Sequence, residues 1–560
     1  MEYAALVELY RELDATDSNL EKTAILADVF AEADETHLPL LVTLCRGEAF
    51  PARESAELGI SSKLTREAIS KATGIGEGEI EDAWRETGDL GDAAAWAVSE
   101  RTQQALVPTT LDVETVHATL EGIAGYRGEG SQGRRIDAVS RLLSDADPEE
   151  ARYLVRTVLG HLRVGVGSGT IRDALAEAFL DGEEADRAAI ERAYQLTSDY
   201  RIVAETARNG GREGLRELSI ELFRPIDLML AEKSEGIAEA IRDVAGEGEA
   251  VLWEYKYDGI RVQIHKRGEE VRVFTRRLEE ITAAFPEAVS AVEQSVSAES
   301  ALLDAELVGY DRETERPVAF QQLSRRVRRK YDVEELSEEV PTTLHVFDLL
   351  FCEGRSLLDE PLSERLSRLD PLLSDREGIE HAERLRSHEE ERAHEFYEEA
   401  LAAGHEGVMA KNAAASYQPG RRVGHMVKVK PAMEPLDLVV TRAQWSEGRR
   451  SDYLGRLFLG CYDPDTDTYP EVGRLSTGYT DEELAELTAL LEPLVTGIEG
   501  RRVSLRPELV LEIEYEEIQN SPEYDSGFAL RFPRFLRRRD DLAPADADTL
   551  SRVEALYEGQ

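Results

Sequence analysis

The chain has 560 residues, and its 113 acidic residues outnumber its 66 basic residues, which gives a formal net charge of −47. This length allows roughly three to four domains. No run reaches the 18 or so apolar residues of a membrane helix, and no basic signal peptide starts the chain, so a cytoplasmic protein is expected. The three cysteines are far apart, which excludes a disulfide framework and a cysteine zinc site.

Residues 1 to about 222 have the apolar spacing that is typical of helices. One helix is predicted to follow a capping box at Ser18 and Glu21, with Leu26 and Phe30 on its apolar side. The pattern predicts a helical domain, and a generic helical scaffold is the alternative that it leaves open.

The stretch from Glu254 to Arg261 places Lys256 among carboxylates at the start of a predicted hairpin. A lysine amine normally has a pKa of about 10.4, so it attacks an electrophile only where its surroundings help it lose a proton. Lys256 is therefore a candidate covalent nucleophile. A surface strand with salt-bridged charges is the alternative interpretation.

The alternating strands around Gly268 and Glu269 predict a hairpin with a two-residue turn. This register places Arg261 directly opposite Arg276. Like charges in that position are unfavourable unless an anion lies between them, and guanidinium groups suit phosphate or ribose oxygens. Together with Lys256, the two arginines predict a nucleotide site.

Lys428 and Lys430 are two residues apart in a predicted strand, so they project from one face while Val427 and Val429 enter the core. Both amines can then reach one phosphate group. The chain has only ten lysines against 56 arginines. This scarcity indicates that Lys256, Lys428 and Lys430 serve chemistry rather than solubility.

The segment from about 433 to 560 contains short apolar or alternating runs separated by turn residues, among them Leu436 to Thr441, Leu457 to Tyr462 and Val510 to Tyr515. Such spacing is typical of a small β-barrel of the OB type.

A series of short motifs runs through the chain in a fixed order: Lys256 to Arg261, Thr275 to Arg277, Asp304 to Glu306, Phe347 to Leu350, Glu406 to Met409, Lys428 to Lys430 and Arg531 to Phe535. Their order and spacing resemble ATP-dependent DNA ligases of the archaeal and eukaryotic replicative type. The resemblance implies a multidomain α+β fold. Its expected parts are a helical DNA-binding domain at 1–222, an adenylation (nucleotidyltransferase) domain of antiparallel sheets and helices at 223–432, and an OB-fold β-barrel at 433–560.

The resemblance also implies an enzyme that seals nicks in duplex DNA during replication, repair and recombination. Lys256 corresponds to the lysine that takes AMP from ATP and releases pyrophosphate. The AMP then passes to the 5′-phosphate of a nick, and the 3′-hydroxyl attacks that phosphate and releases AMP. The expected substrates and cofactors are nicked double-stranded DNA, ATP and Mg²⁺.

The resemblance implies a set of nucleotide contacts, in which Glu254 reads the adenine edge and Phe347 stacks on the base. The implied cofactor-binding residues are Glu254, Arg261, Arg276, Glu306, Phe347, Arg422, Lys428 and Lys430. The implied metal ligands are Glu306 and Glu406, whose hard oxygens suit Mg²⁺, with Asp258 nearby. Taken from the residues alone, Glu306 could be a solvated acid, Phe347 a core aromatic and Glu406 an acid in a loop.

Two positions depart from the family pattern. Met426 stands where a tryptophan is usual, and Leu542 stands where a lysine closes the last motif. Arg537 or Arg539 is the expected replacement for that lysine.

The acidic composition is the reverse of the basic footprint of nucleic-acid-binding proteins. It resembles the composition of halophilic proteins, which work in molar salt, where a Debye length of about 3 Å screens repulsion from DNA. The predicted phosphate tracks are local basic patches at 324–330, 448–450 and 531–539. Pairing with neighbouring acids such as Asp540 and Asp541 is the alternative.

Two other functions fit part of the pattern. An RNA ligase or capping-type nucleotidyltransferase would share Lys256 and the later motifs, whereas a non-catalytic nick-binding scaffold would keep only the fold. The chain is expected to be a monomer, with a sliding clamp as a further partner. Gln103 to Leu106 is a weak match to a clamp-docking peptide.

Overall fold

A computed structural model describes residues 1–51, 58–101, 110–245, 251–314, 316–318, 320–327, 340–420, 424–431, 433–447 and 450–559. The chain divides into two compact units. One comprises Met1–Arg11, Leu58–Val164 and Ala432–Gln560, and the other comprises Glu12–Glu57 and Gly165–Pro431. Each unit joins segments that are distant in sequence, and the domain boundaries at 222 and 432 stay predictions.

The first region is helical, as the sequence predicts. Its helices are α1 (Tyr3–Asp14), α2 (Asn19–Glu32), α3 (His37–Cys45), α4 (Ser62–Thr73), α5 (Glu77–Thr87), α6 (Leu90–Ser99), α7 (Val113–Gly125), α8 (Ser131–Asp145), α9 (Pro148–Val158), α10 (Ser168–Phe179), α11 (Glu184–Thr197) and α12 (Tyr200–Glu217). Ser18 caps α2 by accepting a hydrogen bond from the Glu21 N–H at 3.3 Å. The other half of the predicted capping box is wrong, because the Ser18 N–H donates to Thr16 Oγ1 at 3.1 Å.

The strands of the central region form two sheets. In chain order the strands are β1 (Glu232–Lys233), β2 (Val251–Tyr255), β3 (Ile260–Arg267), β4 (Glu270–Thr275), β5 (Ser300–Gly309), β6 (Thr342–Cys352), β7 (Arg355–Ser356), β8 (Ile379–His381), β9 (Arg384–Ser387), β10 (Val408–Asn412) and β11 (Met426–Val429). The helices among them are α13 (Ile237–Val244), α14 (Pro286–Ser295), α15 (Phe320–Val327), α16 (Leu362–Leu369) and α17 (Glu390–Ala402).

We call the five-stranded sheet, in the order β1-β11-β10-β2-β9, the lysine sheet. Its apolar face packs against α13 and α17 through Trp253, Val408, Val427 and Val429, all of them buried. Because side chains alternate along a strand, the neighbours of these residues project from the opposite face. That face carries the polar groups of the candidate site, and the lysine spacing predicted for β11 is confirmed.

The second sheet has six strands, in the order β4-β3-β5-β6-β7 with β8 beside β6. Val262, Ile264 and Leu303 lie in its hydrophobic core, so Arg261 and Gln263 project from the other face. Most strand pairs are antiparallel, as predicted, whereas β1 pairs with β11 and β6 pairs with β8 in parallel.

The predicted hairpin register is confirmed. Arg267 pairs with Glu270, and the ladder runs through to Val262 and Thr275. Gly268 has φ 59°, which glycine adopts readily and which the first central position of a type II′ turn requires.

The last region is rich in strands. They are β12 (Leu436–Gln444), β13 (Arg456–Gly460), β14 (Glu471–Leu475), β15 (Val495–Glu499), β16 (Arg502–Leu505), β17 (Val510–Glu514), β18 (Glu517–Asn520), β19 (Phe528–Arg531) and β20 (Arg534–Arg538), with helices α18 (Asp481–Leu491) and α19 (Leu550–Gly559). Seven strands follow the path β14-β13-β12-β16-β15, with β17 between β12 and β20, while β18 and β19 form a separate pair. These ladders trace an open path, so a closed barrel is not confirmed.

Within the unit that contains both chain ends, Glu447 joins the helical region to the C-terminal region. Its carboxylate lies 2.7 Å from Nη2 of Arg163 and also pairs with Arg501. The Arg501 guanidinium stacks over the Trp84 ring at 4.9 Å. In the described part of the chain, no helix has both the length and the apolar character that crossing a membrane requires.

Candidate active site

Lys256 directly follows β2 and is tied through its backbone to the loop before β10. Its N–H donates to the Gly407 carbonyl at 2.8 Å, and the Glu406 N–H donates to the Lys256 carbonyl at 2.9 Å. Gly407 has φ 134°, and a Cβ there would collide with the Val429 carbonyl oxygen. The position of Lys256 is therefore fixed by the segment that carries Glu406.

The side chains of Lys256 and Lys430 meet on one carboxylate. Nζ of Lys256 donates to Oε2 of Glu406, and Nζ of Lys430 lies 2.7 Å from the same oxygen. Burial acts to raise the pKa of Glu406, but the two ammonium groups outweigh it and lower the pKa to about 2. Glu406 does lie in the loop after α17, yet its ionised carboxylate faces the predicted nucleophile.

Glu306 lies on β5 opposite Arg261 of β3. Burial raises its pKa to about 8; Lys256 and Arg261 oppose this shift, and the Glu406 charge adds to it. Glu306 is therefore mainly protonated at pH 7, beside an ionised carboxylate. This environment differs from that of a solvated strand acid, which was the alternative interpretation.

Glu254 on β2 is a buried acid whose two oxygens differ. Oε2 pairs with Nζ of Lys411 on β10, whereas Oε1 is buried without a hydrogen-bond partner among the described residues. The two side chains are only 2% and 7% exposed. Burial raises the pKa of Glu254, and Lys411 counteracts part of that shift. The site thus contains one buried carboxylate oxygen, Oε1 of Glu254, that accepts no hydrogen bond from the described residues.

Arg261 is held by the protein on three sides. Its guanidinium donates to both oxygens of Asp304, at 3.0 and 2.8 Å, and to the Met229 carbonyl at 2.7 Å. Tyr417 Oη donates to Asp304 at 2.8 Å and accepts from the Met229 N–H at 3.0 Å. The fully buried Asp304 carboxylate therefore neutralises Arg261 from within the protein.

Arg276 follows β4, and its N–H donates to the Arg261 carbonyl at 3.2 Å. The two arginines therefore face each other, as the register predicts. The Arg276 side chain is exposed, whereas Arg261 is half-buried.

Phe347 is half-buried beside the cations of the site. Its ring centroid lies 4.4 Å from Nζ of Lys411 and 5.5 Å from the centre of the Arg261 guanidinium. The β5–β6 register shifts here, because Asp304 pairs with Asp348 while Ala305 pairs with Val346. Phe347 follows Val346, which is in the core of the second sheet, so its side chain projects from the opposite face. Phe347 packs, partly buried, against the small hydrophobic cluster of Tyr257, Val308 and Ala382, so it is not a fully buried core residue.

Lys428 of β11 stands between two neighbours on the lysine sheet. It pairs with Met409 of β10 and with Lys233 of β1. Lys233, Lys256, Lys411, Lys428 and Lys430 all belong to this sheet or directly adjoin its strands, which is half of the lysines in the chain. The scarcity of lysine could have singled out Lys233 and Lys411, which sequence reasoning missed.

Among the predicted site residues, Arg422 lies outside the described part of the chain. Glu306 and Glu406 are near each other, since the Glu406 charge helps to raise the pKa of Glu306 and the Lys256 charge acts on both carboxylates. The described residues contain no group of three or more His, Cys, Asp or Glu side chains arranged for a metal ion.

The basic patches are mostly paired with acids. Arg326 is buried and lies 2.6 Å from Glu287, so its assignment to a phosphate track is wrong. Residues 328–330 and 448–449 lie outside the described residues. In the last patch, Arg538 pairs with Asp540 at 2.6 Å and Arg539 pairs with Asp541 at 2.8 Å. The alternative of local acid pairing is confirmed for these two arginines.

Sequence comparisons cover nearly the whole chain. Residues 228–430 match the ATP dependent DNA ligase domain, residues 2–176 match the DNA ligase N terminus, and residues 450–542 match the ATP dependent DNA ligase C terminal region. The DNA ligase of Thermococcus onnurineus is 42% identical over 560 residues, which is 100% of this chain and 98% of that protein. The chain belongs to the ATP-dependent DNA ligase family.

Other relatives agree with this membership. The DNA ligase of Methanothrix thermoacetophila is 43% identical over 99% of this chain and 98% of its own length. A solved structure named Pmar-Lig_PreS3 is 17% identical, with a TM-score of 0.58 over 95% of this chain and 99% of that one. This last likeness concerns the fold alone. Membership in the DNA ligase family makes the chain an enzyme, and the RNA ligase, capping and scaffold alternatives receive no support.

Proposed function

We propose that Lys256 is the residue through which this ATP-dependent DNA ligase forms its covalent intermediate. The Lys256 ammonium first loses a proton, the resulting amine attacks the α-phosphorus of ATP, a P–N bond forms, the bond to the pyrophosphate oxygen breaks, and the nitrogen loses a second proton. The observation that carries this proposal is the contact of the Lys256 amine with the Glu406 carboxylate, which also pairs with Lys430 and lies on a loop fixed by backbone hydrogen bonds.

Glu406 is the group best placed to take that proton. Its carboxylate touches the Lys256 amine and is ionised, because its pKa is lowered to about 2. Such a carboxylate is a weak base, so it accepts the proton as the P–N bond forms and the nitrogen becomes acidic. Lys430 pairs with the same carboxylate oxygen and can move to a phosphate oxygen when the nucleotide binds. The chemistry of such transfers depends mainly on positioning and on neutralising phosphate charge.

Nucleotide recognition would involve both sheets. Glu254 has an unused acceptor for the adenine amino group, and Phe347 has a half-buried ring that can stack on the base. Ribose and phosphate contacts would come from Arg261 on β3, Arg276 directly after β4, and Glu306 on β5. Lys428 and Lys430 share the strand face that neutralises the phosphates, and Arg422 is proposed as a further contact.

The residues present fit a magnesium ion. Mg²⁺ is commonly held by one or two carboxylates with substrate phosphates and waters, so Glu306 and Glu406 are sufficient protein ligands. The Glu406 charge adds to the burial that raises the pKa of Glu306, and a bound cation would offset that repulsion between the two carboxylates. When bound, the ion would offset phosphate charge during transfer.

The later steps act on nicked double-stranded DNA. We propose that AMP passes from Lys256 to the 5′-phosphate, and that the 3′-hydroxyl then displaces AMP and closes the strand. The helical domain at 1–222 would hold the duplex, the domain at 223–432 would carry the chemistry, and the region at 433–560 would act as an OB-fold. A monomeric state, a cytoplasmic location, a sliding-clamp partner and roles in replication, repair and recombination belong to the same proposal.

The composition suggests that these steps occur in high salt. With a net charge of −47, the chain would repel DNA at low ionic strength, and molar salt would screen that repulsion. Salt also weakens DNA binding, because the release of counterions from DNA contributes less free energy when the salt concentration is high. Enclosure of the duplex and local contacts would then provide the affinity.

A nick-sealing assay tests the whole proposal. The protein is incubated with ATP, Mg²⁺ and a duplex that carries a single 5′-phosphorylated nick, in molar potassium chloride. We expect a sealed strand from the native protein and none from Lys256→Ala. Sealing by Lys256→Ala, or by the native protein without any adenylated intermediate, would contradict the proposed function.

A further inference from the structure

Lys411 and Glu254 are neighbours on the polar face of the lysine sheet. In the β2–β10 ladder Glu254 pairs with Met409 and Lys411 pairs with Leu252, so the two charged residues lie diagonally across the strands. Their side chains form a buried ion pair through Oε2 of Glu254. A buried charge is stable only when it is paired, and Lys411 provides that pair.

The pair leaves the other oxygen of Glu254 available. Oε1 is buried and has no hydrogen-bond partner in the described residues. A buried acceptor without a partner is costly, so such an atom usually marks a place where a ligand or water donates. The carboxylate in its ionised form can only accept, and it therefore selects a ligand group that donates.

Lys411 also connects Glu254 to the ring that would stack on the base. Nζ of Lys411 lies 4.4 Å from the Phe347 ring centroid, and both residues line a cavity with Met426, Tyr417 and Arg261. One ammonium group thus contacts the acid that would read the base edge and the aromatic ring that would hold the base plane. Lys411 has no assigned role in the nucleotide contacts described above.

We propose that Lys411 sets the base specificity of the nucleotide site by keeping Glu254 a pure hydrogen-bond acceptor. This inference rests on the proposed function of the site. Adenine presents an amino group at position 6, which donates to Oε1. A 6-oxopurine such as hypoxanthine presents an acceptor at that position, and two acceptors repel each other when the base is stacked in the same place.

The charges around Glu254 determine its protonation. Burial raises its pKa, Lys411 on β10 and Arg384 on β9 lower it, and Asp348 on β6 raises it. Without Lys411 the acid loses its main positive neighbour and gains a proton more readily. A protonated carboxyl carries an O–H that can donate to the O6 oxygen of hypoxanthine. Removal of Lys411 should therefore weaken discrimination against 6-oxopurines, and more strongly at low pH.

The test compares ATP with inosine triphosphate in the full-length protein. Initial rates of nucleotide transfer to Lys256 are followed by intact-protein mass between pH 6 and 8.5, for the native chain and for Lys411→Met. We expect the ratio of kcat/KM for ATP over that for inosine triphosphate to fall about tenfold or more in Lys411→Met. The ratio should fall further as the pH decreases, and Lys411→Arg should restore it.

Lys266→Met is the matched control. Lys266 is another buried lysine, and its Nζ donates to the Ala298 carbonyl at 2.6 Å on the second sheet. Its loss should reduce stability without changing the ratio. A ratio in folded Lys411→Met equal to that of the native chain, at every pH, would overturn the inference.

Glu254→Gln keeps the proposal testable if Lys411→Met does not fold. The glutamine amide can donate to O6, so this variant should accept inosine triphosphate better than the native chain, with no dependence on pH in this range. Unchanged discrimination in Glu254→Gln would show that Glu254 does not read position 6. A native chain that accepts neither nucleotide would instead overturn the proposed function, and the inference with it.

Discussion

Lys256 and Glu406 are joined both through their side chains and through their backbones. Nζ of Lys256 donates to the Glu406 carboxylate, and the Glu406 N–H donates to the Lys256 carbonyl at 2.9 Å. Residues 150 positions apart in sequence thus share one rigid contact. The predicted nucleophile and the carboxylate that faces it cannot move independently, which is the preorganisation that nucleotidyl transfer requires.

Glu406→Gln should slow AMP transfer to Lys256 without unfolding the chain. The amide keeps the shape of the side chain but loses the charge that accepts a proton and pairs with Lys256 and Lys430. Loss of a general base typically costs about 10²- to 10⁴-fold in rate. The rate is measured as the AMP mass increment over time, with Glu398→Gln, an exposed acid on α17, as the control. Equal rates for Glu406→Gln and the control would refute this role.

Glu306 should make the protein less stable as the pH rises. Its pKa is raised from 4.5 to about 8 in the folded chain, so between these values the folded chain holds a proton that the unfolded chain has lost. Stability therefore falls as the pH increases through this window. Glu306→Gln should flatten the profile of Tm against pH between 5 and 8.5 in the absence of divalent cations. A native profile that rises over the same window, unchanged by Glu306→Gln, would contradict the prediction.

Glu406 should show the opposite dependence. Its pKa is lowered from 4.5 to about 2, so its contribution to stability is present above about pH 4.5 and is lost as the pH falls toward 2. Acid unfolding of Glu406→Gln should therefore depend less on pH below 4.5 than that of the native chain. The two pH profiles together distinguish the two carboxylates, because Glu306 lowers stability as the pH rises whereas Glu406 raises it.

Lys428→Ala should impair AMP transfer and spare the fold. Lys428 is half-buried on a strand face, where its removal leaves Val427 and Val429 packed in the core. The expected change in unfolding free energy is within about 0.5 kcal/mol. Lys63→Ala, an exposed lysine on α4, is the control for both Tm and rate. Unfolding of Lys428→Ala would indicate a structural role instead.

Asp304→Ala should be strongly destabilising. Asp304 is fully buried and pairs with Arg261 while accepting from Tyr417, so its loss leaves a half-buried guanidinium without its carboxylate. Breaking a buried pair in this way costs about 3 to 5 kcal/mol. Denaturant unfolding measures the change, and Asp311→Ala, an exposed acid near the end of the same strand, serves for comparison. Similar denaturant midpoints for Asp304→Ala and Asp311→Ala would contradict the stabilising role of Asp304.

The regular parts of the site could be predicted from the sequence. Strand alternation placed Lys428 and Lys430 on one face, and Gly268 fixed the register that sets Arg261 opposite Arg276. Both inferences depend on local geometry, because successive side chains of a strand point to opposite faces and a short turn fixes which residues of the two strands pair.

The missed features depend on contacts between distant segments. Asp304 lies 43 residues after Arg261 in the sequence, and Tyr417 lies another 113 residues further along the chain. The surroundings of Phe347 also come from distant segments, since its ring lies beside Arg261 and Lys411. Lys411 could have been found, since it is one of only ten lysines and lies five residues after Glu406.

The central claim is that Lys256 carries the covalent AMP, and intact-protein mass measures it most directly. The protein is first freed of any bound AMP and is then incubated with ATP and Mg²⁺ in molar potassium chloride, without DNA, beside a sample given NAD. We predict a single AMP increment from ATP alone, mapped by peptide analysis to Lys256 and missing from Lys256→Arg. An increment that persists in Lys256→Arg, or the lack of any increment in folded native protein, would contradict the account.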